Sequence, residues 1–233
     1  MKIQDVKAII TGATGGIGYA TAKLLKDSGA AVVICGRDAN KVKRVAEELG
    51  VHGVTADVAI EEDITNLFRF AIEKMDGVNV LVNNAGVGGF SALTETSVAD
   101  FQALWEVNVK GLFMAGKEAA KHFKQQNYGN IINIGSTAAR SGFAKGSAYV
   151  ASKFAVSGLT ECWRAELRPN NIRVMQINPS EVITDFITKT GFEIKNEDRK
   201  LKPEEIAHVV VSMLSMGDVG FIPEASVWAT NPW

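Results

Sequence analysis

Short runs of β-branched and aliphatic residues alternate along this chain with longer segments in which apolar residues recur every three or four positions. The short runs fall at 6–10, 30–35, 51–55, 78–82, 130–134 and 172–177, with a last one near 225–229. They lack a polar alternate face, as expected of parallel strands covered by helices on both sides. The longer segments lie at 17–28, 39–49, 61–75, 97–125, 147–168 and 203–215 and carry the helical period. Such alternation predicts a doubly wound parallel α/β sheet of about seven strands with helices on both faces. No linker, repeat or low-complexity stretch interrupts it, so residues 1–233 read as one domain. Ligands on sheets of this kind sit beyond the carboxyl ends of the strands, and the chemistry is to be sought there.

Composition narrows the picture. The chain has 233 residues and a net charge of −1. Its lysines and arginines are scattered, so neither nucleic acid nor an anionic membrane is an expected partner. No apolar stretch approaches the roughly 18 residues of a membrane span. The first strand begins too early to leave room for a secretory signal, and a cytoplasmic setting is expected. Cys35 and Cys162 read as small buried hydrophobes outside metal-ligand spacing, and no metal is expected.

The end of the first strand carries the most informative motif, Thr11-Gly12-Ala13-Thr14-Gly15-Gly16-Ile17-Gly18. A strand that breaks into a glycine turn and then opens a helix is a seat for a pyrophosphate, because helix-start N–H groups and the helix dipole favour negative charge. The spacing differs from the G-x-G-x-x-G fingerprint, and a bare glycine turn is the alternative. The second strand ends in Cys35-Gly36-Arg37-Asp38. No carboxylate stands at Gly36 to repel a 2′-phosphate, and Arg37 offers a fork of donors, so NADP(H) is favoured over NAD(H). Asp38 reads as a helix N-cap before it reads as a ribose ligand. Asp57-Val58 and Asn83-Asn84-Ala85-Gly86 end the third and fourth strands, and either alone could be an ordinary turn. Ser136 follows the fifth strand, and Tyr149 and Lys153 lie four apart on one face of the next helix.

Together these residues resemble the short-chain dehydrogenase/reductases, from Thr11 to about Thr184. The likeness rests on the T-G-x-x-x-G-x-G turn, N-N-A-G, Asn108, Ser136 and Y-x-x-x-K, all in the family's order. It implies a Rossmann-type fold and a ketone/secondary-alcohol oxidoreductase, most similar to the 3-oxoacyl-carrier-protein reductases. Tyr149 would then be the acid/base, Ser136 would hold the carbonyl, Lys153 the cofactor ribose, and Asn108 a water-linked proton path to Lys153. The cofactor would lie along Gly12, Thr14, Gly15, Gly16, Ile17, Gly18, Gly36, Arg37, Asp57, Val58, Asn84, Ala85 and Gly86. Pro179, Val182 and Thr184 would receive the nicotinamide amide. Family members pair through their two long helices, which implies a homodimer or homotetramer. Ser136 as a turn cap and Asn108 as a backbone partner remain the plainer readings.

The chemistry stands without the family name. Hydride transfer to a ketone leaves an alkoxide-like oxygen that needs donors and a proton. A tyrosine of ordinary pKa near ~10 is a poor base at neutral pH, and an adjacent ammonium would favour the phenolate. Phe101, Trp105, Leu112, Phe113 and Trp163 read as core and subunit contact rather than substrate pocket.

Several positions depart from the family pattern. Gly15 stands where NADP-dependent members often carry a basic residue, Gly135 replaces a serine before Ser136, and Ser180 replaces the glycine after Pro179. The ending, Phe221 to Trp233, replaces V-D-G-G. Substrate identity is expected in 87–96 and 183–202, where Phe186, Phe192 and Ile194 suit either a lid over an apolar pocket or a solvated loop. A β-ketoacyl thioester leads, although Gly129-Asn130-Ile131 lacks the basic residue with which many carrier-protein reductases meet an acidic partner. Sugars, small carbonyls and steroids stay open. The rival from another class is a non-catalytic NADP-sensing protein on the same fold.

Overall fold

A computed structural model describes residues 1–186 and 196–233. Its centre is a seven-stranded sheet with β1 at Lys7–Thr11, β2 at Ala31–Gly36, β3 at His52–Thr55, β4 at Val80–Asn83, β5 at Gly129–Ile134, β6 at Ile172–Pro179 and β7 at Glu224–Val227. The strand order is β3-β2-β1-β4-β5-β6-β7, and every pairing is parallel. The described helices are α1 (Gly16–Asp27), α2 (Ala39–Leu49), α3 (Glu61–Met75), α4 (Val98–Trp105), α5 (Leu112–Gln126), α6 (Ser147–Leu167) and α7 (Pro203–Ser215). The doubly wound parallel sheet expected from the residue pattern is the fold.

Side-chain alternation along each strand feeds two cores. Ile9, Val33, Leu81 and Ile131 point to one face, where α3, α5 and α6 supply Leu67, Phe123 and Val156. Ala8, Ile10, Val32, Ile34 and Ile177 point to the other, where α1 and α7 supply Leu25, Ile206 and Met213. Both faces are covered, which is why the central strands show no polar side, whereas the edge strand β7 alternates Ala225 and Val227 on the core with Glu224 and Ser226.

Two expectations change. The segment 97–125 is not one regular α-helix: a π-helical turn at Glu106–Gly111 joins α4 to α5 and carries Asn108. Hydrophobic period alone cannot reveal one such widened turn. Cys35 is buried, and burial lifts its thiol to about 12, but Cys162 is exposed. The reading of Cys162 as a buried hydrophobe is therefore corrected. Its neighbour Trp163 turns inward instead, onto Gly116, where any Cβ would lie 2.4 Å from the indole ring. Asp38 caps α2, its Oδ1 accepting from the Lys41 N–H at 3.0 Å. Of the apolar stripe on α4 and α5, Leu112 is buried while Phe101, Trp105 and Phe113 are exposed.

Candidate active site

The carboxyl ends of β1, β2, β4, β5 and β6 meet at one edge of the sheet, and every strand-end motif lies along it. The glycine turn is built against the Asn84-Ala85 turn. Gly12 has φ +65°, and a Cβ on it would lie 2.7 Å from the Ala85 Cα. A Cβ on Gly18 would lie 2.7 Å from the Gly12 carbonyl oxygen. Asn84 Nδ2 donates to the carbonyls of Thr11 and Gly12 at 2.9 and 3.0 Å. The Thr11 hydroxyl accepts from the N–H groups of Asn84 and Ala85, both at 3.0 Å. Thr11 was not among the expected site residues, yet it ties the two turns together. Its signals were its place at a strand end and at the head of the T-G-x-x-x-G-x-G motif.

Gly15 behaves differently from its neighbours: a Cβ there would meet nothing within 4 Å. No side chain caps α1, so its first-turn N–H groups face this open space. A backbone cradle that a side chain would fill, at an uncapped helix start, fits a pyrophosphate. Thr184 closes the cradle from the opposite side, with its Cγ2 3.0 Å from where a Gly16 Cβ would stand. Ile17 packs partly into the core below. Gly36 leaves room for the Thr14 side chain, whose Cγ2 would be 2.8 Å from a Cβ. Arg37 is exposed and forms no ion pair among the described residues. The Asp57 carboxylate accepts from the Ala59 N–H at 3.0 Å, and Val58 packs on Gly111. Pro179 ends β6 in register with Val227, and the Ser180 N–H continues that pairing to the Val227 carbonyl at 2.8 Å. Ser180 therefore extends the sheet where a glycine was expected.

Tyr149 and Lys153 project from the first turns of α6, and both are 8% exposed. The ammonium lies 5.7 Å from the phenol ring centre and donates to the Ile134 carbonyl at 3.0 Å. Burial pushes the Tyr149 pKa up to about 12, partly offset by a hydrogen bond with the Ser136 hydroxyl. Burial lowers Lys153 to about 8. The expected lowering of the phenol by the ammonium is not among the effects on it: desolvation, the larger, raises its pKa and the Ser136 hydrogen bond lowers it. Ser136 Oγ also accepts from the Ala138 N–H at 3.1 Å, so the capping reading and the site reading hold together. Asn108 accepts from the Val87 N–H at 2.8 Å and donates to the Val87 carbonyl at 2.9 Å and Ser152 Oγ at 3.1 Å. Its amide is thus a brace between the β4–α4 connection and α6. A Cβ on Gly86 would stand 3.4 Å from Asn108 Oδ1 and 4.0 Å from Lys153 Nζ, so both groups face the space that Gly86 leaves open.

Two residues outside the expected set hold Ser136 in place. Asn178 Oδ1 accepts from the Ser136 N–H at 3.2 Å and from Gln176 Nε2 at 2.7 Å. Asn178 Nδ2 donates to the Glu224 carboxylate, which also pairs with Arg140 at the far end of the Ser136 turn. This explains Gly135: a Cβ there would stand 2.2 Å from Asn178 Oδ1. At the amino end of β5, Asn130 is fully buried and accepts from Arg173 Nε at 2.6 Å.

The segment expected to govern substrate choice is tied at its base. Val182 and Leu201 form a β-bridge, and Glu181 pairs with Lys200. Phe186 stacks at a tilt on Tyr149, with ring centres 5.8 Å apart. Phe192 and Ile194 lie outside the described residues. A cavity of about 430 Å3 opens beside the site, lined by Val87, Phe90, Leu104 and Val107, with Arg37 and Lys145 among its boundary residues. Among the described residues no helix is long and apolar enough to cross a membrane, and no cluster of His, Cys, Asp and Glu could hold a metal.

Comparison with known proteins agrees with this geometry. The short chain dehydrogenase family model matches residues 6–193. The 3-oxoacyl-[acyl-carrier-protein] reductase of Aquifex aeolicus is 31% identical over 228 residues, 92% of each chain. A 3-ketoacyl-(acyl-carrier-protein) reductase of Brucella melitensis, solved with NADH, superposes with a TM-score of 0.90 at 30% identity, covering 97% of this chain and 98% of that one. An alcohol dehydrogenase of the archaeon Thermococcus sibiricus, solved with 5-hydroxy-NADP, gives a TM-score of 0.87 at 29% identity over 96% of each chain. The chain belongs to the short-chain dehydrogenase family and is an oxidoreductase of that family.

Proposed function

We propose that this protein is an NADP(H)-dependent ketone reductase, with Tyr149 as its acid/base and a 3-oxoacyl thioester as its leading substrate. One observation carries the reading: a buried phenol, a serine hydroxyl and a buried ammonium meet at the strand edge beside an open phosphate cradle. A reduced nicotinamide cofactor, when bound, would supply the hydride. The chain's own groups do the rest. Ser136 donates to the substrate oxygen as negative charge builds on it. Tyr149, a neutral phenol at physiological pH whose burial holds the proton more firmly still, gives that oxygen its proton. Lys153 holds the ribose hydroxyls, and Asn108 keeps α6 and the Val87 turn in register so that these groups stay aligned.

Arg37 supports NADP(H) over NAD(H). It is an exposed guanidinium just past the end of β2 that forms no ion pair among the described residues, and Gly36 presents no carboxylate. The acyl-thioester reading draws on the carrier-protein reductases among the relatives. The exposed Phe101, Trp105, Phe113 and Phe154 on α4, α5 and α6 support pairing into a dimer or tetramer, which a solution mass measurement checks. The first test is oxidation of NADPH against NADH over ketones headed by acetoacetyl thioesters. Wild type should prefer NADPH, and Arg37→Ala should cut that preference by about tenfold or more, the value of one charge-assisted phosphate contact. An unchanged preference would remove Arg37 as the phosphate reader.

A further inference from the structure

Three phenylalanines from three separate connections converge on Tyr149. Phe90 follows β4 and packs edge-on against the Tyr149 ring, with centres 5.4 Å apart at 71°. Phe186 follows β6 and lies 5.8 Å from the same ring. Phe143, between β5 and α6, packs on Phe90 at 5.7 Å. Leu104, Ala138, Ala148, Val87 and Val150 complete this apolar cluster. The wall is built rather than incidental. Lys145 takes a left-handed backbone (φ +67°), and its carbonyl accepts from the Ser91 N–H at 3.0 Å. That bond locks the Phe143 connection to the Phe90 connection. A Cβ on Gly146 would stand 2.7 Å from the Phe143 ring, so a glycine is what lets this ring lie on the backbone. Phe143 is nonetheless 45% exposed, an aromatic face left open one ring away from the phenol, across Phe90.

We infer that this wall selects the substrate: the ketone carries an aryl or comparably flat apolar group next to its carbonyl, as in a 3-aryl-3-oxoacyl compound, and is not a polyol. The inference rests on the reading of Tyr149 as the proton donor. A flat apolar group gains edge and tilted ring contacts and covers the exposed Phe143 face. A polyhydroxylated ketone would give up water at each hydroxyl laid against the Phe90, Phe143 and Phe186 rings, which carry no donor or acceptor to replace it. The Ser136 hydroxyl hydrogen-bonds to the phenol and the Lys153 ammonium lies 5.7 Å from its ring, one serving the reacting oxygen and the other the ribose.

The experiment compares kcat/KM for ethyl benzoylacetate, ethyl acetoacetate and dihydroxyacetone, with saturating NADPH and the full chain. The aryl ester should exceed the acetoacetate ester by about tenfold or more, within the range that apolar pockets achieve, with dihydroxyacetone the poorest. Phe90→Ala and Phe143→Ala should each bring the aryl-to-methyl ratio towards one, chiefly through KM. Phe143→Leu, which keeps the apolar volume, should retain part of it and guards against misfolding at the alanine variants. Calorimetric binding of the aryl alcohol product should weaken in parallel. A wild-type ratio of one or less, a preference for dihydroxyacetone, or a ratio that survives both alanine variants overturns the inference while leaving ketone reduction standing. No NADPH oxidation with any ketone overturns the parent reading, and this inference with it.

Discussion

Tyr149 and Lys153 sit one helical turn apart in the same buried site, and burial moves them in opposite senses. Desolvation disfavours whichever form is charged, so the phenol is held neutral up to about 12 while the ammonium starts to lose its proton near 8. The consequence for pH has a definite sign. Lys153 is a cation below its pKa and neutral above it, and the phenol does not titrate in the neutral range. If the ammonium holds the ribose, NADPH affinity is level at neutral pH and falls above about 8, by at most about tenfold per pH unit for one linked proton. A fluorescence titration of NADPH binding across this range measures it. Lys153→Arg stays charged and should flatten the profile; a wild-type profile already flat would contradict the role. Tyr149, Lys153 and Ser136 were legible because a helical repeat and a strand end fix their places locally. Phe90 and Phe143 were not, because they stand in connections without a period and meet only through tertiary contacts. Cys162 was misread because it neighbours Trp163 on α6, and the helix turns the indole inward and the thiol out.

At the level of elements, the ends of β5 and β6 form one unit. Gly135 and Asn178 are a matched pair: the glycine leaves the room that the asparagine amide fills, and that amide holds the Ser136 N–H. Gly135→Ala should destabilise the fold by about 1–3 kcal/mol through overpacking. Asn178→Ala should cost about 1–3 kcal/mol by stripping partners from Ser136 and Glu224. In the double variant the nearest clash, with Asn178 Oδ1, is gone and the Gln176 amide at 2.8 Å remains, so urea unfolding should show a coupling of about 0.5–3 kcal/mol in its favour. Strict additivity would refute the pairing. The sequence shows Gly135 only as a departure from a family pattern; its cause lies in the neighbouring strand. The π-helical turn at Glu106–Gly111 is a second case. Asn108 is visible in the sequence, but the widened turn beneath it is not, since apolar side chains continue the helical rhythm across it.

For the molecule as a whole, apolar runs without a polar side dictated a sheet covered on both faces, and the two cores on either side of it realise that arrangement. Parallel connectivity then brings the strand ends to one edge, so residues far apart in the chain come together there. Architecture was therefore readable from pattern, the site from motifs at strand ends, and the substrate wall from neither. The account rests on Tyr149 supplying the proton after cofactor and substrate have bound. The measurement that tests this most directly is Tyr149→Phe, which keeps the ring and its contacts with Phe90 and Phe186 and removes only the hydroxyl. NADPH affinity should stay within about threefold of wild type, while ketone-dependent turnover should fall by about 10²–10⁴-fold, the usual worth of a positioned acid. Turnover at the wild-type rate in this variant would contradict the account.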